Sequence, residues 1–417
     1  MASAVKRSEP VTGVLPNGLR WTHQEVASLA GHVGLIVRVG TRDEEPDEQG
    51  LAHFIEHLLF KGTKRRKAFH VLSKIEDAGG ELNAYTGKED TTVYASFLTP
   101  QYANALDVLI DVVFHSVYPE KELEKEKEVI SDEIDSYLDS PSELIFDDFE
   151  DLLFAGHSIG RNILGTKNSL QSFTREKVLA FVKKHYTPAN MVLTSVGGIS
   201  AKQFQKVLAK ALERIPVKEG NFSPERLPVS PYKPTALRWD KDTHQCHTIV
   251  GGRAVSVHDH HLTGMVLLNN LLGGPAMNSR LNLNIRERYG IAYHIESFYS
   301  PYADTGAMGV YVGTDSDTME RSLRLVEKEF KKLREIPLGV VQLAKAKQQL
   351  LGQMALGQES NAHLMTALGR SLLMFDRIDT LEEVHAKVHA LTAASLCSLA
   401  EWVYAPHALS YLIYEGK

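Results

Sequence analysis

Tyr186-Thr187-Pro188-Ala189, leading into the strand-like run Met191-Val192-Leu193-Thr194, returns late in the chain as Tyr404-Ala405-Pro406-His407 before Ser410-Tyr411-Leu412-Ile413. A helical run precedes each copy: Val178, Leu179, Phe181 and Val182 before the first, Leu396, Leu399 and Trp402 before the second. The two turns are 218 positions apart (404 − 186), and a similar offset of 220 (353 − 133) lays the helix containing Glu133 onto the helix containing Gln353. The same helix, turn and strand at a near-constant offset predict a duplicated domain. Both halves also begin with strands, Gly34 to Val39 and His247 to Gly251, and continue with long helices. The fold class read from this is α+β: two duplicated α/β-sandwich domains, each a sheet with helices packed on one face.

Between the copies lie Pro216, Pro224, Pro228, Pro231 and Pro234, five of the chain's 16 prolines. Proline is poor inside either regular structure, so this stretch reads as an extended connector. The expected layout is a first domain at 1–215, a linker at 216–235 and a second domain at 236–417. With 417 residues, 43% hydrophobic and 24% charged, the chain has the composition of an ordinary globular protein and can bury a large core. Its net charge of −6 argues against nucleic acid as a partner and weakly favours basic peptides. Cys246 and Cys397 are the only cysteines, which in a chain this long reads as two reduced thiols. No apolar run is long enough to cross a bilayer, and Met1 to Pro10 has no apolar core of a signal peptide. The expected setting is therefore the cytoplasm, without a membrane.

Within the first half, His53-Phe54-Ile55-Glu56-His57 carries chemistry. Histidines four apart share one face of a helix, and Glu56 sits close to that face. The set suits zinc: neutral imidazoles hold the metal and a carboxylate takes a proton from bound water. The order H-x-x-E-H, the inverse of the commoner H-E-x-x-H, marks a separate group of zinc peptidases. Leu51, Ala52, Phe54, Ile55, Leu58, Leu59 and Phe60 make the helix apolar nearly all round and predict burial. A buried glutamate flanked by histidines is costly unless paired, and a cation satisfies all three, the alternative being a hydrogen-bonded core cluster.

Two histidines cannot close a zinc site. Downstream, Lys121 to Leu138 is strongly helical, with an apolar stripe at Leu123, Ile130, Ile134 and Tyr137. Glu126 and Glu133 lie on or beside that stripe, two turns apart, whereas Glu122, Glu124 and Glu128 fall toward solvent. Glu133 is the natural third ligand, and Glu126 is either a partner for a histidine or a proton shuttle. The second half has no histidine in Leu267-Leu268-Asn269-Asn270-Leu271, the counterpart of the zinc helix, and Gln353 in place of Glu133, so only the first half is equipped for catalysis.

These residues resemble the pitrilysin/insulinase-type inverzincins, of the short class that includes the mitochondrial processing peptidase. H-x-x-E-H is followed 76 positions later (133 − 57) by Glu133 before Ile134, with Gly50-Leu51-Ala52, Phe60-Lys61-Gly62-Thr63 and Asp139-Ser140-Pro141 around the two parts. The resemblance covers nearly the whole chain. It implies one zinc per chain on His53, His57 and Glu133, Glu56 as general base, and Glu126 as a second catalytic glutamate. It also implies that Gly79-Gly80 leads into a substrate-contacting strand edge with Asn83 and Ala84, where a peptide adds as a strand. Arg286 and Tyr293, seven apart around Gly290, are implied to hydrogen-bond substrate from the second half, and Gly273-Gly274-Pro275 to form a glycine-containing loop near it. Longer members close a chamber with four such domains; two domains make half of a clam-shell, and a chain with both the zinc set and the Arg/Tyr pair points to a homodimer acting on peptides. The rival readings are a non-catalytic core-type structural subunit and a peptide-binding clamp. The histidine-rich stretch His258, His260 and His261, with His244 and His247, reads as a polar loop in which Asp259 caps the next helix.

Overall fold

The computed structural model describes residues 7–215 and 226–416. In the first half β1 (Val11–Val14), β2 (Arg20–Glu25) and β3 (Ala30–Val37) precede α1 (Leu51–Leu59) and α2 (Ala68–Glu76). The hairpin β4 (Glu81–Thr86) and β5 (Thr91–Leu98) leads to α3 (Tyr102–His115), α4 (Glu120–Leu138), α5 (Pro141–Leu153), α6 (Lys167–Gln171) and α7 (Arg175–His185), then β6 (Met191–Gly197) and α8 (Ala201–Leu212). The second half runs β7 (Ala236–Asp240), β8 (Cys246–Ala254), α9 (Leu262–Gly273), β9 (Ala292–Pro301), β10 (Gly306–Thr314), α10 (Met319–Glu335), α11 (Val340–Gln358), α12 (Asn361–Phe375), α13 (Leu381–Ala390), α14 (Ala393–Val403) and β11 (Ser410–Glu415).

Two sheets result, ordered β1-β2-β6-β3-β5-β4 and β7-β11-β8-β10-β9. Apart from β1 the two orders coincide, and in each only the pair made by the sheet's last strand with β2 or β7 is parallel. Pro188 and Pro406 each open a short 3-10 turn just before β6 and β11, where a fixed φ and a missing N–H suit the first position. Tyr186 and Tyr404 are buried beside these turns. The duplication is thus written in the topology.

Both faces of each sheet are covered. Leu35 and Ile36, neighbours on β3 and so on opposite faces, are both fully buried. Leu35 and Leu193 pack into the main core of the first sheet with Leu106 of α3, Phe181 of α7 and Phe204 of α8. On the opposite face Ile36 and Val192 meet Leu372 and Leu373, and Val196 meets Leu364 and Met365, all four on α12. The second sheet mirrors this. Val250 and Val310 pack with α9, α10 and α14, while Ile249 and Leu412 pack with Ile145 and Phe149 of α5.

The compact units are accordingly interleaved in sequence: one comprises Met1–Ile134, Asn162–Arg226 and Leu356–Asp379, the other Asp135–Arg161, Leu227–Ala355 and Thr380–Lys417. This differs from a contiguous division at 215 and 236, because each sheet takes its second cover from a helix of the other half. The first ten residues of the expected linker, 216–225, lie outside the described residues, and 226–235 carry no helix or strand. Both cysteines are free thiols. Among the described residues no helix is long and apolar enough to cross a membrane.

The start of α1 is set by the backbone. Gly50 has φ 89°, a left-handed conformation, and a Cβ there would stand 2.7 Å from the Leu164 carbonyl oxygen. The orphan N–H groups of Gly50 and Ala52 donate to the Glu44 carboxylate at 2.9 and 2.8 Å. Glu44 is buried, so its loss strands two donors away from water. Glu44→Ala is expected to lower stability by about 2–3 kcal/mol and the thermal midpoint by roughly 5–10 °C. An unchanged midpoint in a calorimetric scan would show that another group caps this helix.

Candidate metal centre

Seven of the nine residues of α1 are buried, His53 among them. The four-residue spacing brings the His53 and His57 rings edge to face, with centroids 4.7 Å apart. Helix α4 is long and charged, yet its Leu123, Ile130 and Ile134 are buried, and this anchoring carries Glu133 to the two rings. Its carboxylate oxygens lie 3.8 Å from His53 Nε2 and 3.6 Å from His57 Nε2. Both distances exceed a hydrogen bond. They approach the ligand-to-ligand edge of about 3.4 Å in a tetrahedral site with bonds of about 2.1 Å. The three donors thus fit a zinc ion. Glu133 is 43% exposed and the His57 side chain 23%, so the set opens on one side where a fourth ligand can enter. Burial, with the neighbouring His57 adding to it, pushes the His53 pKa down to about 3, which keeps this imidazole neutral and its lone pair available.

Around this set, Glu126 is buried and accepts from His57 Nδ1 at 3.1 Å, while its other oxygen takes the Lys61 ammonium at 2.6 Å. A histidine that gives Nδ1–H to a carboxylate has its Nε2 lone pair fixed for a metal. Of the two sequence readings of Glu126, the geometry is that of a histidine partner. Glu56 Oε2 accepts a 2.6 Å bond from Thr86 Oγ1. Burial pushes the Glu56 carboxyl above its ordinary range, and the Thr86 hydroxyl pulls it partly back.

Thr86 ends β4, the edge strand of its sheet, which packs on α1. Asn83 is exposed on it and Ala84 buried. The Ala84 N–H is met by the Asn83 side chain at 2.8 Å. The expected substrate-contacting pair therefore lies on a free sheet edge in the same compact unit as the metal donors.

Arg286 and Tyr293 belong to the other unit. Arg286 lies on a π-helical turn, Asn282–Glu287, and lines a cavity of about 400 Å³ with Asn269, Gly274 and His294. Gly290, at φ 63°, ends this segment before β9. Tyr293 is 58% exposed and its hydroxyl donates to the Asp315 carboxylate at 3.1 Å, a bond that raises its pKa. The structure thus does not bring the pair together with the metal donors inside one unit. Helix α9, the topological counterpart of α1, carries no histidine, and Gln353 stands on α11. In the histidine-rich loop the expected cap is corrected: α9 starts at Leu262 with His261 in the cap position. Asp259 sits two residues earlier, where its carboxylate accepts from the His261 N–H at 2.7 Å and closes the turn ahead of the helix.

Two family models match this chain: Insulinase (Peptidase family M16) over residues 23–167 and Peptidase M16 inactive domain over residues 172–350. The chain belongs to peptidase family M16. The uncharacterized zinc protease YmxG of Bacillus subtilis is 32% identical over 389 residues, 92% of this chain and 93% of the relative. The uncharacterized zinc protease SCO5738 of Streptomyces coelicolor is 32% identical over 396 residues, 93% of this chain and 85% of the relative. The fold matches the peptidase M16 inactive domain structure from Pseudomonas fluorescens with a TM-score of 0.90 at 19% identity, covering 98% of this chain and 99% of that one. A protease from Helicobacter pylori matches at 0.89 and 18%, with 99% of each chain covered. In this M16 chain the zinc-fitting donors fall within the first matched segment, and Arg286 and Tyr293 within the second. Sequence reasoning missed Lys61 and Thr86. The signal for Lys61 was its spacing of four from His57; Thr86 reaches Glu56 through the fold and left none.

Proposed function

We propose that this M16 chain is a zinc-dependent endopeptidase that hydrolyses small or unfolded peptides, with one zinc per chain held by His53, His57 and Glu133. The observation that carries the reading is the convergence of two imidazoles and one carboxylate at 3.6 and 3.8 Å, with the Glu56 carboxylate on the same helix. When bound, zinc supplies Lewis-acid activation of a water and of the peptide carbonyl. The residues supply the rest. Glu56 accepts the proton of the attacking water on its carboxylate and delivers it to the leaving amine. Burial and the bond from Thr86 set the surroundings of this carboxylate. Glu126 orients His57 through the bond from its Nδ1.

Substrate lies along β4 as an added strand. Backbone hydrogen bonds give affinity with little sequence choice, the Asn83 side chain gives way from the Ala84 N–H, and the small Ala84 lets the peptide approach. Arg286 and Tyr293 act as donors to the substrate, and the chain works as a homodimer in the cytoplasm. Strand addition requires an extended substrate. The test is therefore digestion of an unstructured peptide beside a stably folded protein of similar composition, followed by mass spectrometry. The reading expects fragments from the peptide alone; equal cleavage of both would contradict it.

A further inference from the structure

Glu56 finds its partner on a strand, not on its own helix. Along β4 the residues Leu82, Ala84 and Thr86 share one face, and the first two are buried. The third place on that face carries a hydroxyl. A threonine in a strand usually needs no further account, since valine fills the same shape and suits a strand as well. Here Thr86 Oγ1 stands 2.6 Å from Glu56 Oε2, within the range of a charge-assisted bond. Thr91, its register partner on β5, sends its own hydroxyl to the Val39 carbonyl at 2.9 Å and so does not serve Glu56.

We propose that Thr86 is the positioning residue of Glu56, holding one carboxylate oxygen so that the other faces the metal donors, and tying the base to the strand that carries Asn83 and Ala84. The proposal rests on the reading of Glu56 as general base. Glu56 stands on α1 between His53 and His57, one residue before the second of these donors. A glutamate has three side-chain torsions, and a base that samples several of them spends less time where proton transfer is productive. Because Thr86 is part of the edge strand, the geometry of the base is referred to the same backbone that receives the peptide. The Thr86 hydroxyl bonds Glu56, and it acts through that carboxylate.

The experiment compares Thr86→Val, which keeps the branched shape and loses the hydroxyl, with Thr86→Ser, which keeps the hydroxyl, in the zinc-loaded full chain. Thr86→Val is expected to lower kcat by roughly 10- to 100-fold, the worth of one hydrogen bond to a charged group, with KM within about twofold. Thr86→Ser is expected to recover most of the loss. Zinc content and thermal midpoint should match the parent in both, and a crystal structure of Thr86→Val should find Glu56 in a different rotamer. A Thr86→Val variant at full kcat, equal losses in both variants, or loss of zinc along with activity would overturn the proposal. Glu56→Gln runs beside them: if it cleaves at the parent rate, the base assignment fails on its own, whatever Thr86 does.

Discussion

Glu56→Gln is expected to retain zinc, fold and substrate affinity while losing turnover by about a thousandfold or more, the upper part of the range for general acid–base catalysis. The substitution is nearly isosteric. The Thr86 hydroxyl that donates to Glu56 Oε2 can donate equally to an amide oxygen, so the side chain stays in place. What disappears is the capacity to accept a proton. A thousandfold loss corresponds to about 4 kcal/mol of transition-state stabilisation. The zinc should remain because Glu56 is not among the three converging donors. Steady-state kinetics with metal analysis checks both halves: intact kcat would remove Glu56 from the chemistry, and lost zinc would make it a metal ligand.

The second large effect belongs to Glu133. Its removal leaves two imidazoles, and the nearest substitute on α4, Glu126, is already committed, one oxygen to His57 Nδ1 and the other to Lys61. Two neutral ligands without a carboxylate hold zinc poorly. Glu133→Ala is therefore expected to lower zinc affinity by more than about a hundredfold, beyond the loss typical for an outer partner of a ligand. Competition against a chromogenic chelator measures this directly. The fold should survive, since Glu133 is largely exposed and the buried residues of α4 are untouched. Affinity equal to the parent would place the third ligand elsewhere.

Much of this was legible in the sequence, for definite reasons. Repetition of Tyr186 and Pro188 as Tyr404 and Pro406 revealed the duplication, because a proline turn before a strand is local chemistry. The helix of His53 and His57 was legible because periodicity fixes which residues share a face. A contiguous division at 215 and 236 leaves α5 and α12 in their own halves, whereas each packs on the sheet of the other half. An apolar stripe says that a helix is covered without saying by which sheet. Thr86 escaped for a related reason: its partner is 30 positions away, and nothing in a strand-forming threonine announces a carboxylate. Asp259 stands two residues ahead of the cap position of α9, which is His261, and sequence alone does not separate the two places because Asp is favoured both in caps and in the turns ahead of them.

The most direct test of the central claim is hydrolysis of an unstructured peptide in ¹⁸O-enriched water by the zinc-loaded chain, with a chelator-treated sample alongside, read by mass spectrometry. The account requires fragments whose masses sum to the substrate plus one water, heavy oxygen in each new carboxylate, and loss of cleavage on chelation that zinc restores. An intact peptide after incubation with a fully zinc-loaded chain, or cleavage indifferent to the chelator, would contradict it.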